Sequence, residues 1–285
     1  MRKSTFLTVA LAMVLAAFTF SCKQQEVAPG NETHVLSKDI QDKLWAHGIN
    51  PSVAEHINQL NPLTGESVSG WMFGGDMFVA DKNLKTMFTG DIAGTGLTGE
   101  QYRTSNLVSV SGTRTISVIG YTGSGFALTS KMRTGLQWAI NNYNRLNLSL
   151  RFTVSFAAST NADIVVYNNG ASGGGGSAGF PSGGNPFKWV QINAGTDAFS
   201  TNVNEHVIGH EIGHCLGFRH TDYFNRSISC GSGGNEGSAG VGAIHIPGTP
   251  TTNVNSNTSL MLACFNSGVD GEFTSSDITA LNFLY

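Results

Sequence analysis

The sequence predicts an α+β fold, and three observations carry that reading. From residue 114 to 216 the chain switches between period-2 and period-3.6 stretches in the order β-α-β-β-β-α. The run from 217 to 273 is rich in Gly, Ser, Asn and Thr and has little periodicity. Hydrophobic residues make up 40% of the chain, enough to build a core, so the 36 glycines argue for long ordered loops and not for disorder.

The elements follow in order. Arg2 and Lys3 precede the apolar run "FLTVALAMVLAAFTF", residues 6–20, which is shorter than the ~20 residues of a membrane-spanning helix. Together these predict a signal peptide over 1–22. Ser21-Cys22 resembles a bacterial lipoprotein cleavage site, although Thr19 and Phe20 make the box imperfect. Cys22 is therefore a candidate lipidation site, and ordinary signal cleavage is the alternative. In both cases the chain leaves the cytoplasm, either lipid-anchored to the bacterial envelope or secreted. Residues 23 to about 35 are polar and aperiodic and read as a tether. "SKDIQDKLWAHGIN" has a Ser/Asp start and predicts a helix, and "PSVAEHINQL", opening on Pro51, predicts a second short one. "MFVADKNLKTMF" begins strand-like and continues helix-like.

"TISVIGYT" alternates and predicts a strand. "TSKMRTGLQWAINNYNRLN" spaces Met132, Leu136, Ile140 and Tyr143 for a helix capped at Thr129 or Ser130. "LSLRFTVSFA", "ADIVVYNN" and "FKWVQIN" predict three more strands. The glycine loop 170–184 lacks the Gly-Lys-Ser/Thr ending and the following helix of a phosphate cradle. It reads as a surface loop or as a rim of a substrate cleft. A histidine-bearing helix is expected from about Thr201 to Leu216. "TSSDITALNFLY" closes the chain as a capped helix with Ile278, Leu281 and Leu284 on one face.

"NEHVIGHEIGHCLGFRHTD" places His206, His210, His214 and His220 close together. Two imidazoles four residues apart share a helix face and can reach one ion. The residue after His206 is Val207, which is no base. The residue after His210 is Glu211, whose carboxylate can take a proton from water beside the ion. Gly217 can adopt the left-handed turn that ends many helices, which returns His220 toward the same point. His210, His214 and His220 are thus the expected ligands of one catalytic Zn2+, and Glu211 the catalytic base. His206 is expected in a supporting role one turn upstream. Asp222 reads as a turn cap or as a hydrogen-bonding support.

"HEIGHCLGFRH" resembles the zinc signature of the metzincin metalloproteases. That resemblance implies a zincin-like catalytic domain over 114–285. It would hold a twisted mixed sheet, two long helices, an active-site helix, a loop-rich lower subdomain and a C-terminal helix. It implies that Met261, in "SLM", forms a methionine turn beneath the metal. The wider run to "SLMLAC" is similar to the dual-action HEIGH metallo-peptidases. Astacin-like members of the clan carry a tyrosine two residues after the turn methionine; here Ala263 stands there, with Tyr223 a weak substitute. Metzincins are often made as zymogens, so residues 23–113 are expected to hold a tether and a small pro-segment. Phe73-Gly74-Gly75-Asp76 resembles the aspartate switch of astacin propeptides, which makes Asp76 a candidate zymogen switch; a plain turn aspartate is the other reading. Cleavage is expected between about 101 and 115, at Arg103 or Arg114.

The three cysteines after Cys22 suggest one disulfide and one buried thiol. Cys230 with Cys264 is the favoured pair, since both lie in loop-rich chain and Cys215 lies on the histidine helix. A net charge of -3 with no basic stripe argues against nucleic acid as a partner. The expected function is that of an exported zinc endopeptidase, a monomer acting on protein or peptide, in which Glu211 assists attack by zinc-bound water. Membrane contact is expected only through an N-terminal lipid. The rivals are a lipid-anchored binding or adhesion module with structural zinc, and a proteolytic toxin of narrow specificity.

Overall fold

The computed structural model describes residues 34–46, 51–73, 75–84, 99–237, 241–252, 254–255 and 259–285. The expected signal peptide, Cys22 and nearly all of the tether lie outside them. Contacts divide the chain into Met1–Val35 and Leu36–Tyr285, and the site lies in the second unit. Among the described residues no helix is long and apolar enough to cross a membrane.

A mixed five-stranded sheet forms the frame. Its strands are β5 (Arg114–Tyr121), β6 (Leu150–Ala157), β7 (Ile164–Asn168), β8 (Gly176–Ser177) and β9 (Trp189–Ile192), in the order β6-β5-β7-β9-β8. The first three pairings are parallel, and β8 joins β9 antiparallel at one edge. Helix α3 (Ser130–Arg145) makes the crossover from β5 to β6, with the Thr129 hydroxyl accepting the Met132 N–H as its cap. Its apolar face, Met132, Leu136, Ile140 and Tyr143, packs between the sheet and α4 (Thr201–Leu216). Fourteen of the sixteen α4 residues are buried, which is why no clean apolar stripe marks that helix in the sequence.

The glycine loop is not a plain surface loop. Residues 177–181 are buried, and Gly176–Ser177 form the edge strand β8. The segment before the frame also differs from expectation. Pro51–Val53 is only a 3-10 turn, and "AEHINQL" is strand β1 (Ala54–Leu60), not a helix. β1 pairs with β2 (Ser67–Phe73), which pairs with β3 (Met77–Ala80), all antiparallel. Cross-strand pairing outweighs the weak helical signal of that stretch. Helix α1 (Lys38–Ala46) lies before this sheet and α2 (Asp81–Leu84) after it; Leu36, Trp71, Phe73 and Val79 cluster with Phe180 of the glycine loop.

Residues 99–106, read from sequence as pro-segment, are laced into the chain that follows α4. β4 (Tyr102–Arg103) pairs with β10 (Ile244–His245). The Arg219 N–H donates to Tyr102 O at 2.9 Å, and the Thr104 N–H to Gly217 O at 2.7 Å. Gln101, at φ +62 and fully buried, donates its amide to Ser259 Oγ and Asp277 Oδ1. Asp277 belongs to α6 (Ser275–Leu284), where it completes a capping box with Thr274. On that helix Leu281 is buried, while Ile278 and Leu284 are half-buried. The short α5 (Ser227–Cys230) carries Cys230, which is disulfide-bonded to Cys264 (S–S 2.11 Å), and Cys215 is a buried thiol.

Candidate metal centre

Helix α4 presents His210 and His214 on one face, one turn apart. It stops at Gly217 in the left-handed conformation (φ +107, ψ 9). A side chain there would be strained by the backbone and would also strike Leu107 and Thr104. The turn brings His220 back: its Nε2 lies 3.2 Å from His214 Nε2 and 3.3 Å from His210 Nε2. Asp76, at the tip between β2 and β3, places Oδ2 3.0 Å from His220 Nε2. One ligand atom from each of Asp76, His210, His214 and His220 lies within 4.8 Å of the others.

The donor set of three imidazoles and a carboxylate fits a divalent ion such as zinc, and the far sides of the rings agree. His210 Nδ1 donates to Leu260 O (2.9 Å), His214 Nδ1 to Phe218 O (2.8 Å) and His220 Nδ1 to Glu236 Oε1 (2.7 Å). Each Nδ1 faces an acceptor and so carries a proton, which leaves the three Nε2 atoms, converging on one point, to face an ion. Asp76 Oδ1 and Glu211 Oε2 are buried beside this point with no hydrogen-bond partner in the protein.

Burial sets the charges. It holds His214 well below the ordinary histidine range and, with help from neighbouring His220, brings His210 down to about 4. Both are therefore neutral and able to ligate. Burial works against a charge on His220 too, but the Asp76 and Glu236 carboxylates outweigh it and raise that ring to about 10. Burial, reinforced by Asp76, pushes Glu211 well above the usual carboxylate range.

Met261 lies under α4, buried, its sulfur against Gly213; Thr221 N–H donates to its carbonyl. Leu260, whose carbonyl fixes His210, is held through its N–H by Asp277 Oδ2 at 2.9 Å. His206 stacks beside His210 and lines a cleft shared by Gly174–Gly176, Asn193, Arg226, Leu262 and Phe265. Asp222 touches none of the ligands. It accepts from Ala263 N and Ser229 Oγ and so ties α5 to the chain after Met261. Tyr223 sits in a cluster with Tyr102 and Ala243.

The family model of the dual-action HEIGH metallo-peptidases matches residues 72–285. The chain belongs to that family. This HEIGH metallo-peptidase is also similar to two solved structures of myroilysin. They share 16% and 14% identity, with TM-scores of 0.36 and 0.39, over 60% and 64% of this chain and 80% and 86% of theirs. No curated protein matches it. Three members of the centre of this metallo-peptidase escaped sequence reasoning: Glu236, Arg219 and Gln101. The one available signal was Glu236 itself, the sole charged residue between Gly231 and Gly242.

Proposed function

We propose that this protein is an exported zinc endopeptidase of metzincin architecture, made in a latent form in which Asp76 blocks the metal. The convergence of Asp76 with the three histidines carries this reading. Zinc held by His210, His214 and His220 would polarise the scissile carbonyl and lower the pKa of a water toward neutrality. Glu211 takes the proton of the attacking water and delivers it to the leaving nitrogen. Its unpartnered Oε2 speaks for this role and against a purely structural ion, which would need no free carboxylate beside it. β8, the edge strand of the sheet, would pair with the substrate backbone in extended form. In the latent chain the Ala178 N–H, just after β8, donates to Asp76 O at 3.3 Å, so the pro-segment uses a donor that substrate would need.

Maturation removes the chain up to a point before Gly99, not at Arg103 or Arg114, because residues 99–106 hold the turn that delivers His220. The Cys230–Cys264 bond suits an oxidising compartment and supports export, with Cys22 as the anchor point. The partner is a protein or peptide, with no nucleic acid.

Two variants test the reading on casein, Glu211→Gln in the processed protein and Asp76→Ala in the full chain. Glu211→Gln is expected to retain one zinc per chain and lose proteolysis, by at least ~10^2-fold. Asp76→Ala is expected to make the unprocessed chain active. Proteolysis that survives Glu211→Gln, or equal latency of Asp76→Ala and parent, would defeat it.

A further inference from the structure

Each ligand imidazole is fixed from behind, but not in the same way. His210 and His214 donate to backbone carbonyls, which are neutral. His220 donates to a carboxylate, Glu236, which is 1% exposed. Arg226 Nη1 donates to that same oxygen, and Arg219 Nη2 reaches the other at 3.5 Å. Arg219 is fully buried and immediately precedes His220; its Nη1 and Nη2 also donate to Gly242 O and Gly237 O. A buried carboxylate and a buried guanidinium each lose several kcal/mol of hydration, and apolar residues of similar volume often serve stability as well or better. Shape-filling therefore does not explain why an otherwise uncharged glycine stretch carries Glu236. A charged acceptor behind one ligand of three does.

We infer that Glu236 is a positioning residue of the metal centre, held by Arg219 and Arg226, that keeps His220 turned with Nε2 toward the ion and strengthens it as a donor. The inference rests on the proposed metal site. His210 and His214 inherit their orientation from helix α4 and need only a carbonyl. His220 lies beyond the Gly217 turn, on irregular chain, with no helix to aim it. Its aim comes from the far side of the ring, and an acceptor pinned by two arginines cannot follow the ring if it swings. Partners of this kind typically contribute a factor of 10–100 in metal affinity.

The test is competition of the full chain against a chelator for Zn2+, with the visible spectrum of the Co2+-loaded protein as a second readout. Glu236→Gln keeps the shape and removes the charge; it is expected to weaken zinc binding about 10–100-fold and to shift the Co2+ bands. If that variant does not fold, because it leaves two arginines without their carboxylate, Glu236→Asp keeps the charge but draws the carboxylate back from Nδ1. It is expected to fold and to show the same loss in reduced degree. Parental affinity and an unchanged Co2+ spectrum in whichever variant folds would overturn the inference and make Glu236 a loop anchor only. A parent chain that binds no ion would remove the site reading, and this inference with it.

Discussion

Gly213 stands between the two helical ligands and decides how closely Met261 can approach. A Cβ there would lie 2.5 Å from the Met261 sulfur and 3.2 Å from its methyl carbon. Glycine within a helix costs about 1 kcal/mol relative to alanine, so propensity alone favours alanine. The contact with Met261 reverses that preference. Gly213→Ala is expected to lower stability by about 1–2 kcal/mol, the overpacking loss exceeding the propensity gain. In a Met261→Ala background the same change is expected to be neutral or stabilising. Denaturant titration of the four proteins gives the coupling directly, and additive effects would refute the contact argument. At this scale much of the site was legible. His210, Glu211, His214, Gly217 and His220 are close in sequence, and the helix together with the turn at Gly217 brings them together. Glu236 and Gln101 were not legible, because nothing local ties a loop glutamate or a lone glutamine to a ring or a turn distant in sequence.

The crossing of α3 and α4 contains an ionisable group that its surroundings oppose. Glu205 on α4 is buried, accepts from Asn142 on α3 at 2.8 Å, and has the Glu272 and Asp270 carboxylates near it, with Arg145 in partial compensation. Burial first, then Glu272, raises it from the ordinary glutamate value of 4.5 to about 7. The folded chain therefore holds a proton that the unfolded chain releases. That advantage is whole below about pH 4.5 and is lost as pH rises through about 7. Glu205→Gln keeps a hydrogen-bonding partner for Asn142 and removes the charge. It is expected to melt with the parent at pH 4 and above the parent at pH 8; parallel curves at both pH values would count against it. The same elements show where sequence reading held. β5, β6, β7, β9, α3 and α4 appear where expected, on alternating or apolar runs for the strands, helical spacing for α3 and the histidine motif for α4. β1 and β8 do not: one is a polar stretch that becomes a strand only through pairing, and the other is two residues inside a glycine loop.

At the scale of the whole molecule, long-range ties hold the half beneath α4. The Cys230–Cys264 bond closes a loop of 34 residues that includes Glu236 and Met261. By chain entropy such a link contributes on the order of 3–4 kcal/mol. Cys264→Ser is expected to lose that much in a thermal or denaturant melt; a change within about 0.5 kcal/mol, the range of ordinary surface substitutions, would show the link to be ornamental. If the chain is processed as proposed, the lacing of residues 99–106 predicts where the cut falls. Sequencing the N-terminus of processed, active protein is expected to place it before Gly99, and a terminus between 104 and 115 would refute that assignment. The hydrogen bond from Gln101 to Asp277 spans 176 positions of chain. Asp277 holds Leu260, and Leu260 aims His210. The order of assembly follows from this. The HEIGH helix precedes α6 in the chain, and the carbonyl that orients its first ligand has no anchor until α6 has been synthesised. Contacts of such separation form slowly. The metal pocket is therefore among the last features of this chain to acquire its shape, and an ion that arrives sooner meets a helix with two histidines rather than a site.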